Sequence, residues 1–313
     1  MHRLALAAAA LAALCLASPA LAAGVPIRTE KLAKDTEAAT MSVEYPVTGN
    51  AGVDAEVAAW AKGEFDNFAQ LSTEDRQPDE AAYELEITFE VERNDATGFA
   101  VLFTEYTFTG GAHPNSDFTT FNYVMPEGWR VYLPEIFQAK ALKTISSLAV
   151  AALKKDMGGD ADSETIADGA GPAWDNFDDF TLKADRLDLN FSAYQVAAYA
   201  AGPQFVSIPL SKLKGLMRPD WKAPAPSFDC AKAGTAIEKA ICGSVELARL
   251  DRGVAEAYAR KLKYSFEDGE KAKNQAEQRQ WLADRDQKCG NGDAACLKEV
   301  YATRLKALTE AGG

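Results

Sequence analysis

The stretch between Cys230 and Arg304 constrains the fold of this chain more than any other, because it contains four of its five cysteines. Apolar residues recur there at steps of three and four, which predicts short amphipathic helices. About 80 residues of helix bury only a thin core, so cross-links are expected to add stability. Cys230, Cys242, Cys289 and Cys296 allow three pairings, and spacing alone does not choose among them. Pairing nearest neighbours would close two short loops, each worth about 2 to 3 kcal/mol.

The order of residues in this stretch is distinctive. The marks are Ile241-Cys242, Glu246-Leu247-Ala248, Tyr258, Gln280-Trp281-Leu282, Arg285 and Tyr301. This pattern resembles the LprI-type lysozyme inhibitor domain, a small cysteine-stapled helical module of bacterial cell envelopes, over nearly all of residues 228–308. The resemblance implies a small all-α, disulfide-stapled domain at 228–313 that binds and inhibits lysozymes.

The N-terminus has the pattern of a secretory signal peptide. Arg3 precedes an apolar run over 4–16, and small residues lead to a cleavage point after Ala22. The run is shorter than the roughly 20 residues that span a bilayer, so we expect no membrane insertion after cleavage. Lipidation of Cys15 is the alternative, but a leucine precedes it. We expect a soluble periplasmic or secreted protein, where oxidation favours disulfides over a zinc site, all the more because no Cys-x-x-Cys spacing occurs.

Charge is divided unevenly along the chain. From Ser227 onward there are 15 Lys and Arg against 14 Asp and Glu, and Arg3 adds one positive charge, so the total of -13 leaves -15 for residues 23–226. An acidic surface argues against nucleic acid and anionic membrane as partners and permits a basic protein. The alternative is that the acidity only keeps an exported protein soluble.

The acidic part has the pattern of an α+β domain. Apolar residues at helical spacing predict a helix over 54–71 with Asp54 as its N-cap. The segment 83–92 then alternates strictly between apolar and polar residues, which predicts a strand with one buried face. Its other face carries a carboxylate row, spaced roughly 6.7 Å apart, that is either a solvent face or an anionic surface for a basic protein. This carboxylate row comprises Glu84, Glu86, Glu90 and Glu92.

Further strands are predicted over 99–108 and 118–125, separated by a Gly-Gly-Ala-His-Pro turn at 110–114. This turn, the Phe-Asn-Tyr at 121–123 and the closing segment 187–208 with Tyr194 and Tyr199 resemble the extracytoplasmic RsiV/PdaC-like domain. The resemblance covers roughly residues 40–216 and implies a mostly antiparallel sheet with covering helices. In one branch of that family it also implies lysozyme binding. The predicted domains are therefore 23–217 and 228–313, joined by a Pro-rich linker at 218–227.

The sequence offers little for catalysis. His113 is the only histidine after signal cleavage, and no nucleophile elbow or phosphate-binding loop occurs. A structural role in its turn is the main interpretation of His113, and ligand contact is the alternative. The acidic segment 160–171 is predicted as a mobile loop. Its start resembles a calcium loop, but Thr165 replaces the turn glycine. We expect no metal, no cofactor and no enzymatic activity, with a cell-wall hydrolase as the alternative.

One further residue of the cysteine-rich stretch, Arg285, is a candidate for function. Trp281 and Tyr301 are predicted as core residues, and Arg285 one turn later is either their packing partner, which we favour, or a surface contact. Together these observations predict a periplasmic protein that captures, and in the stronger form inhibits, lysozyme-like basic muramidases. The alternative is a non-catalytic envelope module that binds peptidoglycan or an envelope protein.

Overall fold

The computed structural model describes residues 24–74, 76, 81–158, 162–222, 225–263 and 268–310. The predicted signal peptide lies outside the described residues. The chain divides into two compact units. The first unit comprises residues up to Leu133 together with Lys140–Lys214, and the second comprises Pro134–Ala139 and the chain from Gly215 onward. Most of the segment predicted as a linker therefore groups with the second unit.

The first unit contains two sheets and their helices. In chain order its elements are β1 Arg28–Asp35, β2 Ala39–Val47, α1 Ala51–Glu74, β3 Tyr83–Asp95, β4 Gly98–Phe108, β5 Asn115–Val124, β6 Trp129–Arg130, α2 Leu133–Ile136, which runs into the second unit, α3 Ala141–Met157, α4 Ser163–Gly169, β7 Phe180–Leu182, β8 Arg186–Phe191 and β9 Gln204–Pro209. Strands β1 to β6 form one sheet in sequence order, and β7 to β9 form a second. Only β2 and β3 pair in parallel, since α1 connects them. The predicted α+β class is confirmed.

One face of the large sheet is the main core of the first unit. Helix α1 buries Val57, Ala61 and Phe68 against β2, β3 and β4. Trp60 of α1 lies 4.3 Å from the ring of Phe103, and Phe103 meets Phe121 edge to face at 5.8 Å. Such aromatic contacts stabilise beyond the area that they bury. The helical spacing in the sequence therefore marked the packed face correctly.

The prediction that Asp54 caps α1 is wrong. The helix begins three residues earlier, and the side-chain oxygen of Asn50 accepts hydrogen bonds from the backbone N–H groups of Gly52 and Val53. Asp54 instead accepts from the backbone N–H and the hydroxyl of Thr48, at 2.7 and 2.8 Å. Asp54 thus ties the first turn of the helix to the preceding loop.

Strand β3 departs from strict alternation at its far end. Tyr83, Leu85 and Ile87 are buried as predicted, but Phe89 is only partly buried and Val91 is 37% exposed. A bulge between Val91 and Arg93 shifts the register with β4, which ends the simple two-residue period. Local sequence gives no sign of this bulge, because it depends on the partner strand.

The small sheet packs on part of the opposite face of the large sheet, over β5. Asn122 of β5 donates to the carbonyl of Phe180 at 2.7 Å and accepts from the N–H of Leu182 at 2.8 Å. The side-chain amide of Asn122 thus makes the two hydrogen bonds to the backbone of β7 that a neighbouring strand would otherwise make. Thr120 also accepts from the N–H of Phe180. Residues that point away from α1 therefore join the two sheets through buried hydrogen bonds.

The segment 160–171 is not simply a loop. Residues 163–169 form α4, and Asp162 caps it by accepting from the N–H of Glu164 and the hydroxyl of Thr165. Ile166 is completely buried and anchors the helix. The prediction failed because one apolar residue is a weak local signal, whereas its tertiary contacts are strong. Asp160, part of the calcium comparison, lies outside the described residues.

The second unit contains the helices of the cysteine-rich stretch. They are α5 Ala236–Cys242, α6 Val245–Lys263, α7 Asp268–Cys289 and α8 Ala294–Glu310. Ser244 and Asp293 cap α6 and α8 as their positions suggest. Gly269 lies in the first turn of α7. The cysteines pair with their nearest neighbours, Cys230 with Cys242 and Cys289 with Cys296.

Candidate functional site

Three exposed or partly exposed rings meet at one end of the first unit. The imidazole of His113 stacks on the ring of Tyr199 with centroids 3.9 Å apart, and Tyr194 lies 5.3 Å from Tyr199. We call His113, Tyr194 and Tyr199 the aromatic cluster. His113 comes from the turn before β5, whereas the two tyrosines follow β8. The fold therefore joins segments about 80 residues apart.

Hydrogen bonds hold the rings of this cluster in place. His113 Nδ1 lies 2.9 Å from the carbonyl oxygen of Pro114, and its Nε2 lies 3.2 Å from the hydroxyl of Tyr194. A carbonyl only accepts, so Nδ1 carries the proton and, in the neutral ring, Nε2 accepts from the tyrosine. The hydroxyl of Tyr199 donates to the same carbonyl at 2.7 Å. His113 is satisfied in its turn, and the ring remains exposed.

Tyr194 has an unusual backbone. Its φ is 71°, the one positive value at a non-glycine residue in the described part of the chain. For an L-residue this conformation costs about 1 to 2 kcal/mol. The side chain is nevertheless 56% exposed, so burial of the ring offsets little of that cost. Strain retained at an exposed aromatic residue is typical of contact sites.

Carboxyl groups lie beside the aromatic cluster. Asp117 hydrogen-bonds to Asn115 and to Ser192, and Ser192 also accepts from the N–H of Phe118. Glu105 faces Asp117 across the β4–β5 ladder, and Glu64 of α1 approaches the same face. We call Glu64, Glu105 and Asp117 the carboxyl cluster. Burial, helped by the charges of Glu64 and Asp117, raises the pKa of Glu105 to about 7. Burial also raises the pKa values of Glu64 and Asp117.

The carboxylate row is divided by the structure. Glu84, Glu86 and Glu90 are exposed on the face of β3 opposite α1. Glu92, next to the bulge, is 17% exposed and forms an ion pair with Lys183. Only the first three therefore present their charges freely to solvent.

Arg285 is engaged inside the second unit. Its guanidinium donates to the hydroxyl of Tyr301 at 2.7 Å and pairs with Asp286, and it lies 5.7 Å from the ring of Trp281. Tyr301 in turn donates to Asp251 at 2.9 Å, and the tyrosine is 1% exposed. Hydrogen bonds to Asp286 and to Tyr301 raise the pKa of Arg285, although burial acts in the opposite direction. The geometry is that of a packing partner at the edge of the core.

Among the described residues, no group of three or more His, Cys, Asp or Glu side chains could hold a metal ion. In that same part of the chain, every helix is too short or too polar to cross a lipid bilayer. In the described part of the chain His113 contacts the carbonyl of Pro114, the hydroxyl of Tyr194 and the ring of Tyr199, and it forms no hydrogen bond with a serine or a cysteine.

Sequence reasoning selected His113 but assigned Tyr194 and Tyr199 only to strand positions. Neither tyrosine lies in a strand, since β8 ends at Phe191 and β9 begins at Gln204. Asp117, Glu105 and Ser192 were not singled out at all. The positive φ and the contacts across distant segments are tertiary features, so the available sequence signal was limited to two tyrosines five residues apart.

The structure defines a modular protein, with an α+β unit that carries an exposed aromatic cluster and a helical unit cross-linked by two disulfides. Comparison with family models agrees. Residues 32–116 match Deacetylase PdaC, residues 134–211 match a protein family of unknown function, DUF3298, and residues 229–308 match Lysozyme inhibitor LprI. The chain therefore carries an LprI domain preceded by PdaC and DUF3298 domains.

Individual proteins show the same relationship. Over 190 residues the chain is 30% identical to the peptidoglycan-N-acetylmuramic acid deacetylase PdaC of Bacillus subtilis (strain 168), a match that spans 60% of this chain and 41% of that protein. A DUF3298 crystal structure from Pseudomonas aeruginosa PAO1 aligns with a TM-score of 0.50 at 18% identity, covering 63% of this chain and 96% of that one. Another from Bacteroides fragilis NCTC 9343 aligns at 0.44 and 15% identity, over 63% and 95%. The likeness to the Pseudomonas aeruginosa structure concerns the fold alone.

Proposed function

We propose that the protein is exported to the periplasm, or secreted, and there captures and inhibits lysozyme-like muramidases without catalysing a reaction. The observation that carries this proposal is the LprI match over residues 229–308, which spans nearly the whole helical stretch with both disulfides. The expected mechanism is occlusion of the catalytic cleft of the muramidase. A rigid, cross-linked unit suits this role because little conformational entropy is lost on binding.

The first unit supports capture of a basic protein. Tyrosine is enriched at the energetic centres of interfaces. Tyr194 and Tyr199 lie close together, and Ser192, two residues before Tyr194, hydrogen-bonds to Asp117. The charge of -15 over residues 23–226 would speed the approach of a cationic enzyme. We propose the aromatic cluster as the contact region of the first unit.

Lysis of a cell-wall suspension by a basic lysozyme of the animal type tests the proposal. Mature protein, residues 23–313, is added in excess over a salt series, with a chain ending at residue 217 as comparison. We expect slower lysis, with the effect weaker at high salt because screening reduces electrostatic attraction. Unhindered lysis at low salt with excess protein would refute inhibition.

The PdaC match over residues 32–116 favours a second candidate, a non-catalytic module that binds peptidoglycan. Retention of the protein by an insoluble wall fraction, combined with unhindered lysis, would favour it. Release of acetate from wall fragments by the purified protein would contradict our proposal that the chain is not an enzyme.

A further inference from the structure

A polar cavity of about 260 Å³ opens within the first unit, where the large and small sheets meet. Glu90 and Glu92 of the carboxylate row line this cavity, whereas Glu84 and Glu86 lie outside it. The lining residues that matter for binding are Glu90, Glu92, Lys183, Asp188, Phe205 and Ser207. The charged part of this wall comprises three carboxylates and one ammonium group.

The inner charges of the cavity already have partners. Lys183 pairs with Glu92 and lies 3.1 Å from Asp188. Burial by itself would lower the pKa of Lys183, but its bonds to these two carboxylates raise it above its ordinary value. Asp188 also accepts from Ser207 at 2.6 Å and from Arg186. The inner wall is therefore a rigid, paired network.

Two side chains at the rim of the cavity, Glu90 and Phe205, lie outside this network of paired charges. Glu90 is exposed, and within the described chain it forms no ion pair. Phe205 of β9 is 57% exposed, and the ring of Phe118 supports it at 5.3 Å. An open ring face and an exposed carboxylate thus line the same cavity, and this pair of groups can contact a planar cation from two sides.

We propose that this cavity receives an arginine side chain of a basic partner protein, with the guanidinium against the ring of Phe205 and paired with Glu90. A planar guanidinium both stacks on aromatic rings and forms forked hydrogen bonds with carboxylates. The excess of carboxylates over ammonium groups in the wall leaves room for one added positive charge. The identification of this partner as a basic muramidase rests on the proposed function.

An arginine-containing peptide tests the cavity independently of any muramidase. Binding of a hexa-arginine peptide and of its neutral hexa-citrulline counterpart is measured by calorimetry for wild type, Glu90→Gln and Glu86→Gln. Glu86 lies on the same face of the same strand outside the cavity, so its variant loses the same charge and controls for general attraction. We expect Glu90→Gln to weaken binding about tenfold, Glu86→Gln less than about twofold, and citrulline not to bind.

The ring is tested by a second pair of variants. Phe205→Leu keeps an apolar side chain but removes the ring face, and we expect it to weaken binding by about fivefold. Phe205→Tyr, which keeps the aromatic ring, should bind the peptide as tightly as wild type does. If both glutamate variants bind alike, or if Phe205→Leu binds as wild type does, the arginine site is refuted.

The same variants titrated with a basic lysozyme separate this inference from the proposed function. If wild type binds lysozyme and Glu90→Gln matches Glu86→Gln, the cavity assignment fails and muramidase capture stands. If lysozyme does not bind, but the peptide discriminates between the two variants, the cavity assignment stands and the identity of the partner fails.

Discussion

The two units of this protein use aromatic and charged residues in opposite ways. In the first unit a large core is built by α1 against the sheet, and Tyr194 and Phe205 remain outside it at 56% and 57% exposure. In the second unit Tyr301 is buried, and Arg285 and Asp251 are bonded to it. A small helical unit has few apolar side chains and commits its aromatic residues to stability. A larger core leaves others available for contact.

The largest test of this contrast is Phe103→Ala. Phe103 is fully buried among Trp60, Phe89 and Phe121, so the substitution should reduce the free energy of unfolding of the first unit by about 3 to 5 kcal/mol. Hydrogen exchange in peptides of β4 would report the loss. Val245→Ala, at an exposed position of the second unit, is the control. A loss below about 1 kcal/mol would mean that this aromatic core does not hold the unit together.

The disulfides test the second unit. Replacing both Cys289 and Cys296 by alanine should lower the free energy of unfolding of this unit by about 2 to 3 kcal/mol, because a short loop in the unfolded chain is released. Hydrogen exchange in peptides of α8 as a function of denaturant measures it. Under mild thiol reduction, alkylation mapped by mass spectrometry should find Cys230 first, since it is exposed and Cys289 is buried. The reverse order would contradict the assigned difference in accessibility.

The carboxyl cluster predicts that the stability of the first unit depends on pH, and that removing one of its carboxyl groups increases stability. The pKa of Glu105 is about 7 in the fold against 4.5 when exposed, so the folded chain binds more protons between these values. Stability of the first unit should therefore fall as pH rises from 4.5 to 7. Glu105→Gln should remove part of this slope and raise stability above pH 7 by on the order of 1 kcal/mol, after allowance for solvent screening.

Thermal unfolding of the wild type, Glu105→Gln and Glu86→Gln over this pH range measures the effect. Glu86 is exposed, so its variant should follow the wild type. A wild-type stability that rises through the same range would show that the buried carboxyl is not the dominant titrating group.

The smallest expected effect on stability is at Tyr194. Asparagine adopts positive φ more readily than tyrosine, so Tyr194→Asn should change the free energy of unfolding by less than about 1 kcal/mol. If the aromatic cluster is a contact site, binding to a basic lysozyme should weaken about tenfold. Tyr194→Phe, which keeps the ring, should retain most of the affinity. Equal binding by all three proteins would reduce the cluster to a structural feature.

Some elements could be predicted because their signals are local. The alternation of Tyr83, Leu85 and Ile87 marked a half-buried strand, and Ser244 and Asp293 marked helix starts. Other elements could not. Asn50 replaced Asp54 as the cap of α1, and a bulge between Val91 and Arg93 interrupted the regular pairing of β3 with β4. In both cases two local solutions were available, and contacts with distant segments selected one.

By itself the sequence determined the α+β and all-α character of the two parts, the concentration of cysteines in the second part and the location of negative charge in the first. These properties follow from composition and from periods of two and of three to four residues, which operate within a few positions of the chain. Only the tertiary structure decided that His113 meets Tyr194 and Tyr199, that Glu92 is paired while Glu90 is free, and that Arg285 serves the core. Such contacts join residues far apart in the chain, and their free energies depend on burial and on partners that no local pattern contains.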